Sequence, residues 1–381
     1  MNREYPRIMK AVSVLISFAV FACALHTSGQ PKQSRHLFPI LQNGKWGYID
    51  NTGNVVIKPQ FRLAFEFSDG LAPIVIGRKF GFINERGDII VKPQYDDASG
   101  FSEGLAVVSR GHRWGYIDKT GKEVIPLQFV EAMEFSESLA AVRIDSHSAG
   151  AESLWGYINR QGEVVIPPKF YTALNFSEEI AHVSVGKFGE VNPSGFIDKA
   201  GKFIVEPKFL LAGEFSEGLA PVEIGGKDEL FGVRLHQHIS GKWGYIDKTG
   251  RVIISAQFNA ADEFSEGLAL VGVGDKYGYI NKAGQVVIEP KFDYVGNGNN
   301  CSSFSEGLAC VELSGKIGYI DAQGNIIATP QFDRASKFSN GLAQVAFGGL
   351  EPIRPGSDLV TFAGRFAYIN KRGEYVWKPT Q

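Results

Sequence analysis

What this 381-residue chain lacks narrows its function before any motif is read. Lysine and arginine number 39 against 41 aspartates and glutamates, so no basic excess exists to hold a nucleic acid. No apolar run is long enough to span a bilayer, because the longest, Ala11 to Ala22, falls short of the ~20 residues a helix needs. No H-E-x-x-H, G-x-S-x-G, Walker or G-x-G-x-x-G pattern occurs in a suitable context, and the chain reads as a non-enzyme. Of seven scattered histidines only His236 and His238 form a close pair. Two ligands do not close a metal site, so neither metal nor cofactor is expected. Helical periodicity is absent from the middle of the chain. In its place stand 45 glycines and 28 phenylalanines, the composition of many short strands and tight turns.

The N-terminus is a separate object. Arg3, Arg7 and Lys10 precede the Ala11 to Ala22 run as in a secretory signal, with Met9 an alternative start. Residues 1–24 are therefore expected to be a signal peptide, 25–35 a short linker and 36–381 the folded array. Val20-Phe21-Ala22-Cys23 is a lipobox-like stretch whose bulky Phe21 departs from the usual small residue. Ala22-Cys23-Ala24 equally fits ordinary cleavage before Leu25. Export follows from both, with a lipid anchor at Cys23 in one and free secretion in the other.

Self-comparison organises the rest. With Trp46 as position zero, the register restarts at Phe80, Trp114, Trp155, Ser194, Trp243, Tyr277, Ile317 and Phe366, giving nine copies. Gly follows in eight copies and Ala367 in the ninth, then an aromatic, then Ile in every copy. The side-chain period is two, that of a strand. An Asp or Asn comes next in all nine, with Gly three residues later, which is type I turn chemistry. A β-branched strand such as VVIKPQF is stopped by proline, and a connecting segment leads to FSEGLA. LA-x-V opens the next unit.

WG-x-ID-x-x-G, VVI-x-P-x-F and FSEGLA together resemble the WG, or KWG, repeat of bacterial proteins over essentially the whole mature chain. The resemblance implies a repeat array and no defined activity. Three strands cannot bury a face alone, so each unit must stack on its neighbours. The units run intact from Leu37 to Trp377, with no split unit to join the ends. An all-β, open, solenoid-like array of nine three-stranded antiparallel units is expected, with a propeller-like ring as the alternative.

Candidate sites follow from the repeat. Ser194 and Ile317 replace the Trp, which packing tolerates and catalysis does not. Free exchange of Asn for Asp favours a turn over a calcium ladder. The FSEG carboxylates, repeated in nearly every unit, are expected to accept loop amides or to sit solvated. Cys301, in an insertion between Phe292 and Phe304, and Cys310, in the following strand, either pair in an oxidising compartment or stay two thiols.

The spacing from the LA strand to the WG strand is nine residues in five copies but 16, 14, 24 and 24 in the others. All four extensions enter the same hairpin, and three belong to consecutive units, which makes one patch of His147, Phe188, Glu190, Asn192, Leu230, Phe231, Arg234, Leu235, His236 and His238. It mixes apolar anchors with charge, as recognition surfaces do. The expected function is an exported scaffold that binds a protein or cell-envelope component through this loop edge. The alternative is a cell-wall or glycan-binding module that uses its repeated aromatics.

Overall fold

The computed structural model describes residues 36–145, 153–187, 192–231, 235–239, 241–294, 301–348, 350–352, 360–362 and 364–378. Each unit is built around its turns. Asp50 Oδ1 accepts hydrogen bonds from the amides of Thr52 (2.9 Å) and Asn54 (3.0 Å), and Gly53 closes the turn by donating to the Asp50 carbonyl at 3.1 Å. Asn84 does the same for Arg86 and Asp88, so the amide suffices and charge is not needed.

The glycine after Trp has a steric cause. Trp46 pairs with Phe61 and Tyr48 with Ile57, which leaves Lys58, Pro59 and Gln60 bulged opposite Gly47 alone. A Cβ on Gly47 would lie 2.5 Å from the Ile57 carbonyl oxygen and 2.6 Å from the Pro59 nitrogen. In the ninth unit the last strand ends at Trp377, and there Ala367 takes the glycine's place.

The connecting segment contributes more than a link. In the second unit it forms a short inner strand, Leu63–Ala64, beside the LA strand Leu71–Ile76, the WG strand Lys79–Asn84 and the outer strand Ile89–Tyr95. Six of the nine sheets are four-stranded in this way, which corrects the three-stranded unit expected from the spacing. The proline does not stop the outer strand, which runs through Pro59 to Phe61, and the same bulge forms where Ala256 replaces the proline, so the bulge and not the proline interrupts the ladder. The LA strand is the buried spine, and WG tyrosines such as Tyr48, Tyr116 and Tyr245 are fully enclosed.

Adjacent sheets share their cores. Tyr48, Ile57 and Phe61 of the first pack with Ala72, Ile74 and Ile83 of the second. The ninth and first sheets meet in the same manner: Phe38, Ile40 and Ile49 cluster with Leu342 and Tyr368, flanked by Val376 and Trp377. Tyr368 Oη donates to the Pro39 carbonyl at 2.8 Å, and the Phe38 and Tyr368 rings lie 5.5 Å apart. The turn glycine of each unit sits on the outer strand of the preceding one, as Gly87 on Ile57, and Gly53 sits on Val376 across the junction.

The array is therefore a closed ring of nine blades, a propeller, and the open solenoid is overturned. The physical reason is that both end blades carry an apolar face, and closure buries the two against each other where a solenoid leaves them wet. Because the contacts between blades are made by side chains, no strand has to be shared between the chain ends.

Candidate functional site

A four-stranded meander puts its first and third turns at one end and its second turn at the other. The ring consequently has two unlike faces. One carries the FSEG and Asx turns, and the other carries the LA-to-WG hairpins together with the crossovers from outer to inner strand.

The first face is occupied by bonds between blades. Asp69 and its equivalents adopt left-handed backbone, φ 54° at Asp69 and 51° at Glu103, as the two-residue type I′ turn requires. This conformation costs about 1–2 kcal/mol in a residue other than glycine. Each carboxylate recovers that by reaching the next blade: Asp69 accepts the Gly104 amide at 2.8 Å, Glu178 that of Gly218 at 2.9 Å and Glu306 that of Gly341 at 3.0 Å. At six of the seven a cation from the same neighbouring blade joins, as in Lys248–Glu178 at 3.1 Å and Lys282–Glu217 at 2.9 Å, whereas the position facing Glu266 is Ala322. An amide bond to a charged acceptor is worth about 1.5–3 kcal/mol net, so the clasp outweighs the strain. Of the two readings open for these carboxylates, loop-amide acceptance is the observed one. Beneath them the serines link blade to blade, with Ser102 Oγ donating to the Phe135 carbonyl at 2.6 Å and Ser216 Oγ to that of Phe264 at 2.7 Å.

The opposite face is clamped, at five of the eight crossovers, by the residue that follows the outer strand. Asp96 accepts the Gly111 amide at 2.9 Å, Asp293 that of Ser314 at 2.9 Å and Asp333 that of Gly348 at 2.8 Å. Arg62 donates to the Gly77 carbonyl at 2.8 Å, and Asn259 accepts the Gly274 amide at 3.1 Å. The register places Val130, Tyr171 and Leu210 at this position beneath the fourth, fifth and sixth blades. Those are the three consecutive blades with extended hairpins. Apolar, half-buried side chains thus replace the polar clamp under the insertions, and a cleft lined by Lys208, Phe209, Leu210, Glu223 and Ile224 opens beside the sixth. The residue after the strand aromatic carried this signal in the sequence, and a reading of hairpin length alone missed it.

Of the predicted patch, His147, Phe188, Glu190 and Arg234 lie outside the described residues. The sixth-blade insertion forms a hairpin, Lys227–Phe231 with Leu235–Ile239, whose register pairs Leu230 with His236, Phe231 with Leu235 and Asp228 with His238. Asn192 Nδ2 donates to the Lys187 carbonyl at 3.3 Å, inside the fifth-blade loop. The ninth-blade insertion is also a hairpin, Leu350–Pro352 with Val360–Phe362.

A second set of residues lines the inner strands and was not singled out from sequence. Glu66, Glu134, Asn175, Glu214, Glu263 and Lys337 each immediately precede the invariant Phe. The Glu214 amide donates to Glu263 Oε1 at 3.1 Å, and Ser302 Oγ to Asp262 Oδ2 at 3.1 Å. Burial, reinforced by the Glu263 charge, pushes the Glu214 carboxyl up to about 7 and that of Asp262 to about 6. Burial pushes the Lys337 ammonium down, while Glu263 and Asp262 hold it up. His182, against the Phe196 ring, is lowered to about 4 by burial. Among the described residues no group of three or more His, Cys, Asp or Glu can hold a metal ion, and no helix is long and apolar enough to cross a membrane.

Cys301 and Cys310 lie with their Cα atoms 5.3 Å apart and their sulfurs in contact, and the Cys310 amide donates to the Cys301 carbonyl at 2.9 Å. This separation suits a disulfide.

The blades, the clasps and the closed ring define a repeat propeller. The family described as WG containing repeat matches residues 46–80, 80–111, 114–146, 155–187, 195–227, 243–277, 277–316 and 317–350, and the chain belongs to it. A search of curated proteins gave no match. Among solved structures it is similar to a puromycin hydrolase, at 8% identity and TM-score 0.40 over 92% of this chain and 55% of that one. It is also similar to prolyl endopeptidases (9%, TM-score 0.41, 88% and 55%) and to the extracellular domain of a one component system from B. thetaiotaomicron (11%, TM-score 0.32, 90% and 56%). The chain thus spans little more than half the length of these proteins, and none of their activities is carried over at such values.

Proposed function

We propose that this propeller is an exported, non-enzymatic binding module that holds a protein or cell-envelope component on the hairpin face of its fourth, fifth and sixth blades. The observation that carries the reading is the coincidence of three consecutive extended hairpins with the loss of the polar crossover clamp to Val130, Tyr171 and Leu210. A rigid ring that presents adjacent loops over apolar supports is a common way to build a recognition surface. The opposite face is spent on contacts between blades. Shortening these three hairpins to the nine-residue spacing is expected to leave the melting temperature within a few degrees while abolishing capture of the partner from envelope extracts. Unchanged capture refutes the reading. The basic start and apolar run support removal of residues before about Leu25, and the mass of the mature chain tests it. A lipidated N-terminus at Cys23 selects the anchored form.

The glycan reading has an observation of its own. Tyr294, 58% exposed, lies 5.1 Å from Tyr277 on this same face, a ring pair able to stack on a sugar. Binding to wall polysaccharide that is lost in Tyr294→Ala but kept when the hairpins are shortened selects this reading over a protein partner.

A further inference from the structure

Each outer strand ends its sheet, and an uncovered strand edge is a template on which another chain can pair. Most of the edges in this ring are blunted. Of the eight full-length outer strands, seven carry a proline and six of those a charge as well, as in VVIKPQF and EVIPLQF, devices that discourage a further strand. The sixth blade's outer strand, Val252–Phe258, reads VIISAQF and has neither. Its ladder passes from Ile254 opposite Tyr245 to Phe258 opposite Trp243, so Ser255, Ala256 and Gln257 bow out opposite Gly244 alone. The same three positions hold Lys58, Pro59 and Gln60 in the first blade. Val252 and Ile253, 45% and 40% exposed, continue the edge toward the Asx turn, and Ser255 and Gln257 are exposed beside them.

The blades on either side supply a second observation. At the fourth and sixth positions of the outer strand, the fifth blade has Glu206 and Lys208 and the seventh has Glu289 and Lys291, all of them exposed. No other full-length outer strand sets these opposite charges about a proline. The unguarded strand is thus the one flanked on both sides by the same charge pattern. Among the described residues none of these four charges is ion-paired within the ring, unlike the clasp charges Lys248 and Lys282.

We propose that the edge of the sixth blade is the interface of a homodimer, in which Val252–Phe258 of two copies meet antiparallel about a twofold axis at Ala256. The occupant is a second copy of this chain, because that axis makes the rim complementary to itself. It sets Ser255 against Gln257 of the second copy, neutral side chains that let the two backbones approach. Standing perpendicular to the joined sheets, the axis also brings each neighbouring blade beside its own counterpart with the strand direction reversed. Position four then faces position six, so Glu206 faces Lys208 of the second copy and Glu289 faces Lys291, each twice. At the first or second blade the same operation would bring Lys58 or Lys92 to the joint twice and meet no such flanks. One ring is turned over relative to the other. Their hairpin faces therefore point in opposite directions and, on the reading proposed above, the dimer bridges two partners.

Sedimentation equilibrium of the chain from Leu25 onward, which holds every described residue, is expected to show monomer and dimer in reversible exchange. Ser255→Lys with Gln257→Lys sets like charges against each other across the axis and is expected to weaken the dimer by at least about tenfold. Ser255→Glu with Gln257→Lys repeats the flanking pattern at the joint and is expected to tighten it by about threefold. Both should fold, because Lys58, Glu206 and Lys169 already occupy these strand positions in other blades. Glu206→Lys with Glu289→Lys leaves the strand untouched and is expected to weaken the dimer several-fold at low salt, an effect that fades as ionic strength rises. A chain that stays monomeric overturns the proposal, whether or not a foreign strand takes the edge. A dimer that survives the two lysines, or one that the Glu–Lys arrangement weakens as much, overturns it too. Indifference to the flanking charges removes the axis from Ala256 and with it the self-complementarity on which the second copy was chosen.

Discussion

At the scale of single residues, the strictest positions are steric and the variable ones are hydrogen-bond acceptors. Gly115 has the carbonyls of Ile125 and Pro126 at 2.6 Å from where a Cβ would stand, both backbone atoms that cannot rotate away. Gly115→Val is expected to destabilise by more than about 3 kcal/mol. Asp118→Asn keeps the acceptor that serves Thr120 and Lys122 and is expected to change stability by less than about 0.5 kcal/mol. Thermal melts of the two variants, with and without calcium, decide between a turn and a metal ladder. Glu214 behaves oppositely to a salt-bridged carboxylate. Its pKa is raised on folding from 4.5 to about 7, so the folded state binds the proton more tightly and ionisation opposes folding. The cost is absent below about pH 4.5 and complete above about pH 7. Glu214→Gln is therefore expected to gain about 3 kcal/mol at pH 8 and nothing at pH 4. A gain that is equal at both pH values sinks this account.

At the scale of elements, the turns were legible and the fourth strand was not. Asx-x-x-Gly states its own turn because each bond is local, within four residues of Asp50 or Asn84. The inner strand is two residues long in the second blade and has no alternation of its own, since its pairing is dictated by the LA strand beside it. The apolar crossovers Val130, Tyr171 and Leu210 were equally present in the sequence. Their meaning depended on the Asp96 and Asp293 clamps, which exist only once neighbouring blades are in place. The eighth blade departs by holding Cys301 against Cys310 where the others have plain chain. We expect these two to be oxidised in the folded protein. Cys301→Ser with Cys310→Ser should lower stability by about 2–3 kcal/mol, matched by the wild type in dithiothreitol. A reductant-insensitive melt argues for two thiols.

At the scale of the whole molecule, closure changes how stability is distributed. In an open array the end units lack one neighbour and fray. In the ring the first blade packs against Tyr368, Val376 and Trp377 of the ninth, as the second packs against the first. Hydrogen exchange should find the amides of Ile40 and Ile369 as protected as those of Ile158 in the fourth blade. Faster exchange confined to blades one and nine would favour the solenoid. Removing the ninth blade should abolish the cooperative melt rather than subtract one unit from it, because it exposes the apolar faces of blades one and eight together.

By itself the sequence determined the repeat: its nine registers, its strand periods, its Asx turns and the one hairpin that lengthens, since all of these are set by interactions within a few residues. Family membership followed from the same motifs. Only the tertiary structure decided between solenoid and ring, because the choice rests on how the faces of Phe38 and Tyr368 meet across 330 positions of chain. It also decided which polar groups are spent on holding blades together, because a carboxylate such as Glu178 is a solvated charge or a clasp according to what the neighbouring blade brings to it.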